Sequence, residues 1–142
     1  MAYLLKQKFN ISELAAQTQA PKKIMLIEPE YYLRVMLKKL LETEQFVVAS
    51  AEKISESKVI LEFFEPDIAV ISPHSENNFQ IFLLGLANLR NDYQALPILT
   101  IGNRLPMEVM KNIMDLGVVS HLERALTRPH DIATVIKTLF KN

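Results

Sequence analysis

The chain has 142 residues, 49% of them hydrophobic, which suffices for one buried core but not for two domains of ordinary size. Its 16 basic and 16 acidic residues balance, so no overall field favours nucleic acid or an anionic membrane as a partner. The sequence contains no cysteine, which excludes disulfides, thiolate catalysis and cysteine-ligated metal centres.

Two further features favour the cytoplasm. The longest strongly apolar stretch without charge lies between Glu76 and Arg90 and is too short to span a bilayer. The first residues, MAYLLKQKFN, lack the apolar block and cleavage site of a signal peptide. We therefore expect a cytoplasmic protein that does not contact a membrane.

Residues 1–21 precede the repeating pattern of the rest and are predicted to form an N-terminal extension. Within them, ISELAAQTQAP predicts one short helix that ends at Pro21. A docking arm and a loosely held terminus would both fit this segment. Residues 22–142 are predicted to form the domain itself.

From Lys22 onward, five short apolar runs alternate with segments of helical period, which predicts a parallel sheet with crossover helices. The first run, KKIMLIE, is almost continuously apolar, as expected for a central strand covered on both faces. The helix after Pro29 is predicted to bury a stripe of apolar residues, namely Leu33, Met36, Leu37, Leu40 and Leu41.

The runs FVVASA and DIAVIS predict the second and third strands. The helix between them is expected to begin at Ser55 or Ser57 as N-cap and to end at Glu65, just before Pro66. Its predicted inward residues are Val59, Ile60, Phe63 and Phe64. The helix after the third strand is predicted to bury Phe79, Phe82, Leu83, Leu86 and Leu89.

The runs PILTI and VVSHL predict the fourth and fifth strands, with Gly102 and Asn103 in the turn after the former. Gly117 is expected to cap the helix between them. The predicted inward residues of that helix are Met107, Met110, Ile113 and Met114. The last helix opens at Pro129 and is predicted to bury Ile132, Val135, Ile136, Leu139 and Phe140.

In an open parallel sheet, ligands and chemistry gather at the carboxyl ends of the strands. Here those ends are predicted to carry a mixture of acidic, basic and hydroxyl side chains. The residues concerned are Glu28, Pro29, Glu30, Ser72, Pro73, His74, Gly102, Asn103, Leu122, Glu123 and Arg124.

Four segments at these positions, LIEPEYYLR, PDIAVIS, LPILTIGN and DLGVVSHLERAL, resemble the receiver domains of bacterial two-component response regulators. The resemblance runs from about residue 22 to the carboxyl terminus. It implies a CheY-like, flavodoxin-like α/β fold, which is a doubly wound (βα)5 three-layer sandwich with a parallel sheet in the order 2-1-3-4-5.

The positions that this resemblance assigns to phosphotransfer carry the wrong side chains. Ser72 stands in place of the phosphoacceptor aspartate, and Pro29 follows Glu28 where the family commonly has a second acid. Gly102 occupies the position of the switch hydroxyl, and Arg124 that of the lysine. We interpret these five residues as a degenerate phosphoacceptor pocket.

This composition predicts loss of the family's chemistry. A serine hydroxyl carries no charge near neutral pH, so Ser72 neither attracts magnesium strongly nor forms an acyl phosphate. Glu28, with Glu30 nearby, supplies too few anionic ligands for tight binding. Asp67 cannot substitute, because it precedes the third strand and lies at its opposite end. We expect no catalytic residue, no metal and no cofactor.

His121 takes the position of the family's aromatic rotamer switch. With Gly102 opposite, its ring is expected to lack the hydroxyl partner of the family's coupled movement. Thr100 is predicted to be a core residue instead. An alternative is that His121 tunes association between about pH 5 and 8, the range in which histidine side chains in general change charge.

The resulting hypothesis is a phosphorylation-independent pseudo-receiver that acts as a protein–protein interaction module in signal transduction. By resemblance, its partner would bind the surface of the fourth helix, fifth strand and fifth helix, through which a homodimer could also form. No direct contact with nucleic acid is expected. The candidate partner-binding residues, besides Arg124, are Glu108, Lys111, Asp115, His121, Arg128 and Asp131.

Two other functions stay open. A small-ligand or metal sensor would use the strand-end crevice around Glu28, His74 and Arg124, since carboxylate and imidazole are suitable metal ligands. The domain could also be the input half of a longer transcriptional regulator. A nucleophilic relay of Ser72, His74 and Glu76 is not favoured, because the three residues lie too close along one short loop.

Overall fold

The computed structural model describes residues 20–73 and 79–141, in which strands and helices alternate strictly. The strands are β1 (Lys23–Ile27), β2 (Val47–Ala51), β3 (Ile68–Ile71), β4 (Ile98–Gly102) and β5 (Val118–Glu123). The helices are α1 (Tyr31–Thr43), α2 (Ser57–Phe64), α3 (Phe79–Asp92), α4 (Met107–Asp115) and α5 (Pro129–Leu139). Short 3-10 turns at Ile54–Glu56 and Arg124–Leu126 precede α2 and α5.

All five strands are parallel, in the order β2-β1-β3-β4-β5, which confirms the predicted architecture. The central strands β1, β3 and β4 are buried along almost their whole length. Continuous burial is what helices on both faces require, and it explains why these strands are apolar runs without alternation. The predicted helix within residues 1–21 lies outside the described residues.

Two hydrophobic cores flank the sheet. Leu61 of α2, Phe82 of α3 and Ile113 of α4 belong to the core on one face. Leu37 of α1 and Ile136 of α5 belong to the core on the other face. The doubly wound arrangement therefore directs the carboxyl ends of the strands to one open edge, between the two helical layers.

The inward face of α2 was predicted wrongly at two of its four residues. Val59 is 64% exposed and Phe63 is 80% exposed, whereas Leu61 is buried and Ile60 is half-buried. Apolar residues crowd the sequence SKVILEFF so densely that its periodicity admits more than one phase. The N-cap prediction was also wrong, because Glu56 precedes the helix without a side-chain cap and Ser57 is its buried first residue.

Helix α4 shows a similar error of phase. Met107 is 89% exposed and Met114 is 40% exposed, while Val109 and Ile113 are buried at i, i+4 spacing. Met107 and Met114 had been assigned to the core because they share a helical period with Ile113, but Val109 is buried instead. Ile113 is buried as predicted, and Met110 packs against the same core. In α1, Met36 is likewise 42% exposed. The predicted inward faces of α3 and α5 are confirmed.

At the amino-terminal edge of the sheet, Arg90 holds three segments together. Its guanidinium donates to the carbonyls of Leu116 and Leu96 at 2.8 and 2.7 Å, and also to those of Tyr93, Gln94 and Gly117. Gly117 has a φ of +80° at the end of α4, as predicted for a helix-terminating glycine. None of the helices in the described residues has the length and apolar character needed to cross a bilayer.

Candidate functional site

Two buried side chains meet where β1 and β3 end. Glu28 follows β1 and is 2% exposed, and Ser72 follows β3 and is 4% exposed. Their backbones are fixed by the sheet, because Glu28 N–H donates to Ala51 and Ser72 N–H donates to Ile27. This register brings Ser72 Oγ to 3.1 Å from Glu28 Oε1, to which it donates a hydrogen bond.

Arg124 completes the arrangement from the turn after β5. Its Nη2 lies 2.7 Å from Glu28 Oε1, with the arginine side chain 28% exposed and that of the glutamate 3% exposed. Glu30 N–H donates to the second carboxylate oxygen of Glu28 at 3.1 Å. The carboxylate therefore accepts a charged, a hydroxyl and an amide donor, and its charge is balanced within the protein.

The segment between β1 and α1 is fixed by similar contacts. Glu30 is the N-cap of α1, because its side chain accepts the Leu33 N–H at 2.8 Å. Arg34 Nη1 donates to the carbonyl of Glu28 at 2.7 Å and to that of Pro29 at 3.4 Å. Glu30 is thus engaged in capping, and Pro29 contributes neither a carboxylate nor an N–H.

The five residues of the predicted pocket line one cleft of about 560 Å³ at this edge of the sheet. Its remaining walls are mostly apolar, with polar groups from the loop between β4 and α4. Those walls are formed by Glu30, Leu33, Pro73, Phe79, Asn103, Arg104, Leu105 and Pro106. The structure therefore brings these five residues together. His74 and Glu76 lie outside the described residues. The relay of Ser72, His74 and Glu76 and the metal site of Glu28, His74 and Arg124 therefore stay predictions.

Gly102 leaves little room for a side chain on the floor of the cleft. A Cβ at this position would lie 3.3 Å from Pro73 Cδ and 4.0 Å from His121 Cε1. The first distance is tighter than an ordinary van der Waals contact. A serine or threonine at position 102 would therefore have to displace the Pro73 ring.

His121 has a hydroxyl partner that was not predicted and that does not lie at position 102. Thr100 and His121 are register partners in β4 and β5, and Thr100 Oγ1 lies 2.9 Å from His121 Nδ1. On the other side of the ring, His121 Nε2 lies 3.0 Å from the carbonyl oxygen of Asn103. Because that carbonyl only accepts, Nε2 carries the proton and Nδ1 accepts the Thr100 hydroxyl proton when the ring is neutral.

Thr100 is fully buried, as predicted, but it is not merely a packing residue. Together with His121 it connects the interior of the sheet to Asn103, in the loop that forms one wall of the cleft. The even spacing between Thr100 and Gly102 showed that both residues face the same side of β4. What the sequence did not show was that parallel pairing would set the ring of His121 beside position 100.

The fold family implies a magnesium ion at this edge, and the residues present do not fit one. Magnesium requires a near-octahedral set of oxygen ligands, usually including carboxylates. Ser72 and Pro29 supply no anionic oxygen, and the Glu28 carboxylate already neutralises Arg124 at 2.7 Å. Among the described residues, no three acidic or histidine side chains form a group that could hold a metal ion.

The candidate partner-binding residues occupy the predicted surface. Glu108, Lys111 and Asp115 are exposed on α4. Arg128 is exposed before α5 and pairs with half-buried Asp131 at 3.3 Å, which also accepts the Arg128 backbone N–H. These two residues therefore organise the start of α5. His121 is half-buried, and its ring contacts the Thr100 hydroxyl.

Comparisons with known proteins identify the fold. No protein-family model matches the chain, and no curated protein matches it. Among solved structures, an orphan response regulator of H. pylori has a TM-score of 0.74 at 12% identity, covering 87% of this chain and 99% of its own. The chemotaxis protein CheY4 of Vibrio cholerae has a TM-score of 0.75 at 15% identity, covering 85% and 100%.

A third match is a member of a family of redox sensors in the streptococci, described as having evolved from two-component response regulators. It has a TM-score of 0.70 at 18% identity and covers 84% of this chain and 51% of its own. At such identities, these similarities establish the architecture. The chain has the CheY-like α/β fold, and its structural neighbours are response regulator receiver domains.

Proposed function

We propose that the protein is a phosphorylation-independent pseudo-receiver, a cytoplasmic protein–protein interaction module in signal transduction with no catalytic activity of its own. The observation that carries this proposal is the internal charge balance at the strand ends. There the Glu28 carboxylate binds Arg124 at 2.7 Å and Ser72 at 3.1 Å.

A phosphoryl group and its metal ion would have to displace an existing ion pair at the strand ends. A receiver of the ordinary kind holds several carboxylates together, and a divalent cation relieves their mutual repulsion. Here the remaining carboxylate is already paired with a guanidinium, whose planar donors suit a carboxylate and which stays charged at all physiological pH values. A cation entering the cleft would have to break that pair and would meet the positive charge of Arg124.

A fixed edge implies a fixed surface around it. Arg124 begins the turn from β5 towards α5, so its bond to Glu28 restrains the β5–α5 connection. Thr100 and His121 restrain the β4–α4 loop through Asn103. Both connections adjoin the surface formed by α4, β5 and α5. We propose that this surface is presented to a protein partner constantly, without a phosphorylation step.

The test is exposure of the protein to acetyl phosphate, or to beryllofluoride, in the presence of magnesium. We expect the amide resonances and the oligomeric state to stay unchanged, because neither an acceptor carboxylate nor a metal site is offered. A dose-dependent shift of the Ser72 and Gly102 amide signals would contradict the proposal. Magnesium alone and beryllofluoride alone serve as controls for non-specific ion effects.

A second candidate function is suggested by the cleft of about 560 Å³, whose partly apolar walls include Leu33, Phe79 and Leu105. Such a cleft could hold a small ligand, with Arg104 or Arg124 as a polar contact. Thermal shift against metals, nucleotides and phosphorylated metabolites would distinguish the two functions, since a ligand of the native state raises Tm by mass action. Absence of any shift favours the interaction module.

The domain could also serve as the input half of a longer regulator. The streptococcal redox sensor supports this alternative, because this chain matches only about half of that longer protein.

A further inference from the structure

Strand β2 is covered by a helix on one face of the sheet only. Val48 is buried in the core that contains α1, whereas Val47 is 41% exposed and Ala49 is half-buried on the opposite face. That opposite face is the one on which α2 lies, because Ala51 alternates with these two residues and shares a core with Leu61 of α2. In the part of the chain that the structure describes, the helical layer on this face therefore ends at α2.

The flank of α2 that faces away from α3 is apolar and exposed. Lys58, Leu61 and Glu62 lie on the α3 side, since they line clefts that α3 and the turn after it complete. Val59 and Phe63 lie one helical turn apart on the other flank, and they are 64% and 80% exposed. A further helix beside α2, above β2, would bury both side chains.

The backbone of β2 is also open along its outer edge. Among the described residues, β2 pairs with β1 alone. Val47 N–H donates to the Lys22 carbonyl, so Val48 and Ser50, at the alternate positions, direct their N–H and C=O groups away from the sheet. The strand contains no charge and no proline that would protect this edge. One strand and one helix would therefore complete this corner.

The first part of the segment that precedes residue 20 has the pattern of a half-buried strand. In AYLLKQKF, three of the four alternate positions from residue 3 to residue 9 are apolar, namely Tyr3, Leu5 and Phe9. The positions between them carry Leu4, Lys6 and Lys8. Lysines are common on edge strands, where they discourage the addition of a further strand.

The second part of this segment has the pattern of a helix. Asn10 followed three residues later by Glu13 is typical of a helix N-terminus, and Pro21 lies just beyond the predicted end. The apolar residues of ISELAAQTQ that recur at helical spacing are Ile11, Leu14 and Ala15. Helix α2 passes across the sheet with eight residues, so residues 11–19 are enough for a helix of the same kind.

Chain topology gives a strand–helix unit that leads into β1 one favoured place. Crossovers between parallel strands of one sheet are right-handed. The crossover from β2 to β3 passes β1 and carries α2. A crossover from a new strand outside β2 into β1 runs in the same direction across the sheet, so its helix belongs on the same face as α2. That place is above Val47 and beside Val59 and Phe63.

We propose that residues 1–19 of this chain close the open corner at β2. Residues 3–9 add to the β2 edge as a sixth parallel strand, and residues 11–19 form the crossover helix on the exposed flank of α2. This addition withholds β2 from pairing with other chains and leaves the surface of α4, β5 and α5 free for a partner. The inference goes beyond the proposed function and does not depend on it, because phosphorylation independence rests on Glu28 and Arg124 at the carboxyl edge.

Amide hydrogen exchange of the full chain tests the added strand. The N–H groups of Val48 and Ser50 should exchange slowly, although β1 does not accept them. Leu5→Asp places a charge on the apolar face of the added strand and should speed exchange at both amides by about tenfold or more. Leu4→Asp, the same change on the other face, is the matched control and should leave exchange slow. The Ile24 amide in β1 should stay protected in both variants, which shows that the domain is folded.

Two results of this experiment would overturn the proposal. One is fast exchange of the Val48 and Ser50 amides in the wild type, which would show that no strand covers the edge. The other is an equal effect of Leu5→Asp and Leu4→Asp, because alternation along a strand requires the two faces to differ.

A nitroxide label on Gln17→Cys tests the helix, and the absence of native cysteine confines the label to that position. We expect selective broadening of the amide signals of Val47, Val59 and Phe63. The same label on Lys39→Cys, an exposed α1 position on the other face of the sheet, is the control and should leave these three signals unchanged.

A mixing experiment establishes which chain supplies the segment. When nitroxide-labelled chains without isotope enrichment are mixed with isotope-enriched chains without nitroxide, the broadening should disappear. Broadening that persists in the mixture would show that a second copy covers the corner. No selective broadening within the singly labelled chain would show that the segment lies elsewhere. Either result would contradict closure of the corner by the chain's own first residues.

Discussion

Replacing Arg124 with methionine tests the pairing at the strand ends in the most quantitative way. The change removes the guanidinium 2.7 Å from Glu28 and keeps much of the aliphatic volume. A carboxylate that is 2% exposed is then left with only the Ser72 hydroxyl and the Glu30 amide as donors. Removing one partner of a fully buried ion pair costs roughly 3–5 kcal/mol of unfolding free energy.

The expected cost here is smaller, because the Arg124 side chain is 28% exposed and water can enter where it was. We therefore predict a loss of about 2–4 kcal/mol for Arg124→Met, measured by urea denaturation at neutral pH. Glu28→Gln keeps an oxygen that can accept from Ser72 and should cost about 1 kcal/mol.

The double variant separates the ion pair from its surroundings. Without a charge on residue 28, loss of the guanidinium leaves no buried carboxylate unpaired, so the two effects should not add. We predict a coupling energy of about 2 kcal/mol in the cycle of Glu28→Gln and Arg124→Met. Additive effects would refute the claim that Arg124 neutralises Glu28. Arg124→Lys, which keeps the charge but not the planar donors, should recover part of the loss.

Three further predictions concern other contacts of the fold. Arg90→Met removes the donors to carbonyls in two segments, residues 93–96 and 116–117, and should lower the unfolding free energy by about 2–4 kcal/mol in urea denaturation; an unchanged midpoint would contradict this role. Thr100→Val leaves His121 Nδ1 without its hydroxyl and should cost about 1–2 kcal/mol, most of it absent when His121 is already replaced by phenylalanine. The hydrogen bond and charge of Lys137 lower the pKa of the Glu44 carboxyl, so their contribution to stability is present above the unfolded pKa and is lost as pH falls through the lowered folded pKa. Thermal melting across the acidic range should therefore be flatter for Glu44→Gln, and identical profiles would count against the pair.

Much of the fold could be predicted because its strands are buried on both faces. Runs such as KKIMLIE and DIAVIS are apolar at nearly every position, and only central parallel strands bury every side chain. The strand order came from resemblance, since pairing in a parallel sheet joins residues far apart along the chain. Register alone brings Glu28 and Ser72 together across 44 residues.

The errors have two physical origins. In α2, apolar residues at adjacent positions left the phase undetermined, and the packing of Leu61 against the sheet decided it. For His121, the resemblance to receiver domains predicted a contact with position 102. The pairing of β4 and β5 instead places the ring beside Thr100. Side-chain hydrogen bonds between strands depend on register and rotamer, neither of which is visible in one sequence. The same holds for the bond between Arg124 and Glu28.

At the carboxyl edge of the sheet, Arg124 balances the charge of the Glu28 carboxylate without a bound cation. Manganese replaces magnesium at oxygen ligands and broadens the resonances of nearby amides, so titration with Mn²⁺ under observation of the amide spectrum tests this claim directly. We expect no selective broadening at Glu28, Ser72 or Gly102. Saturable broadening confined to these three amides would show a built cation site and contradict it.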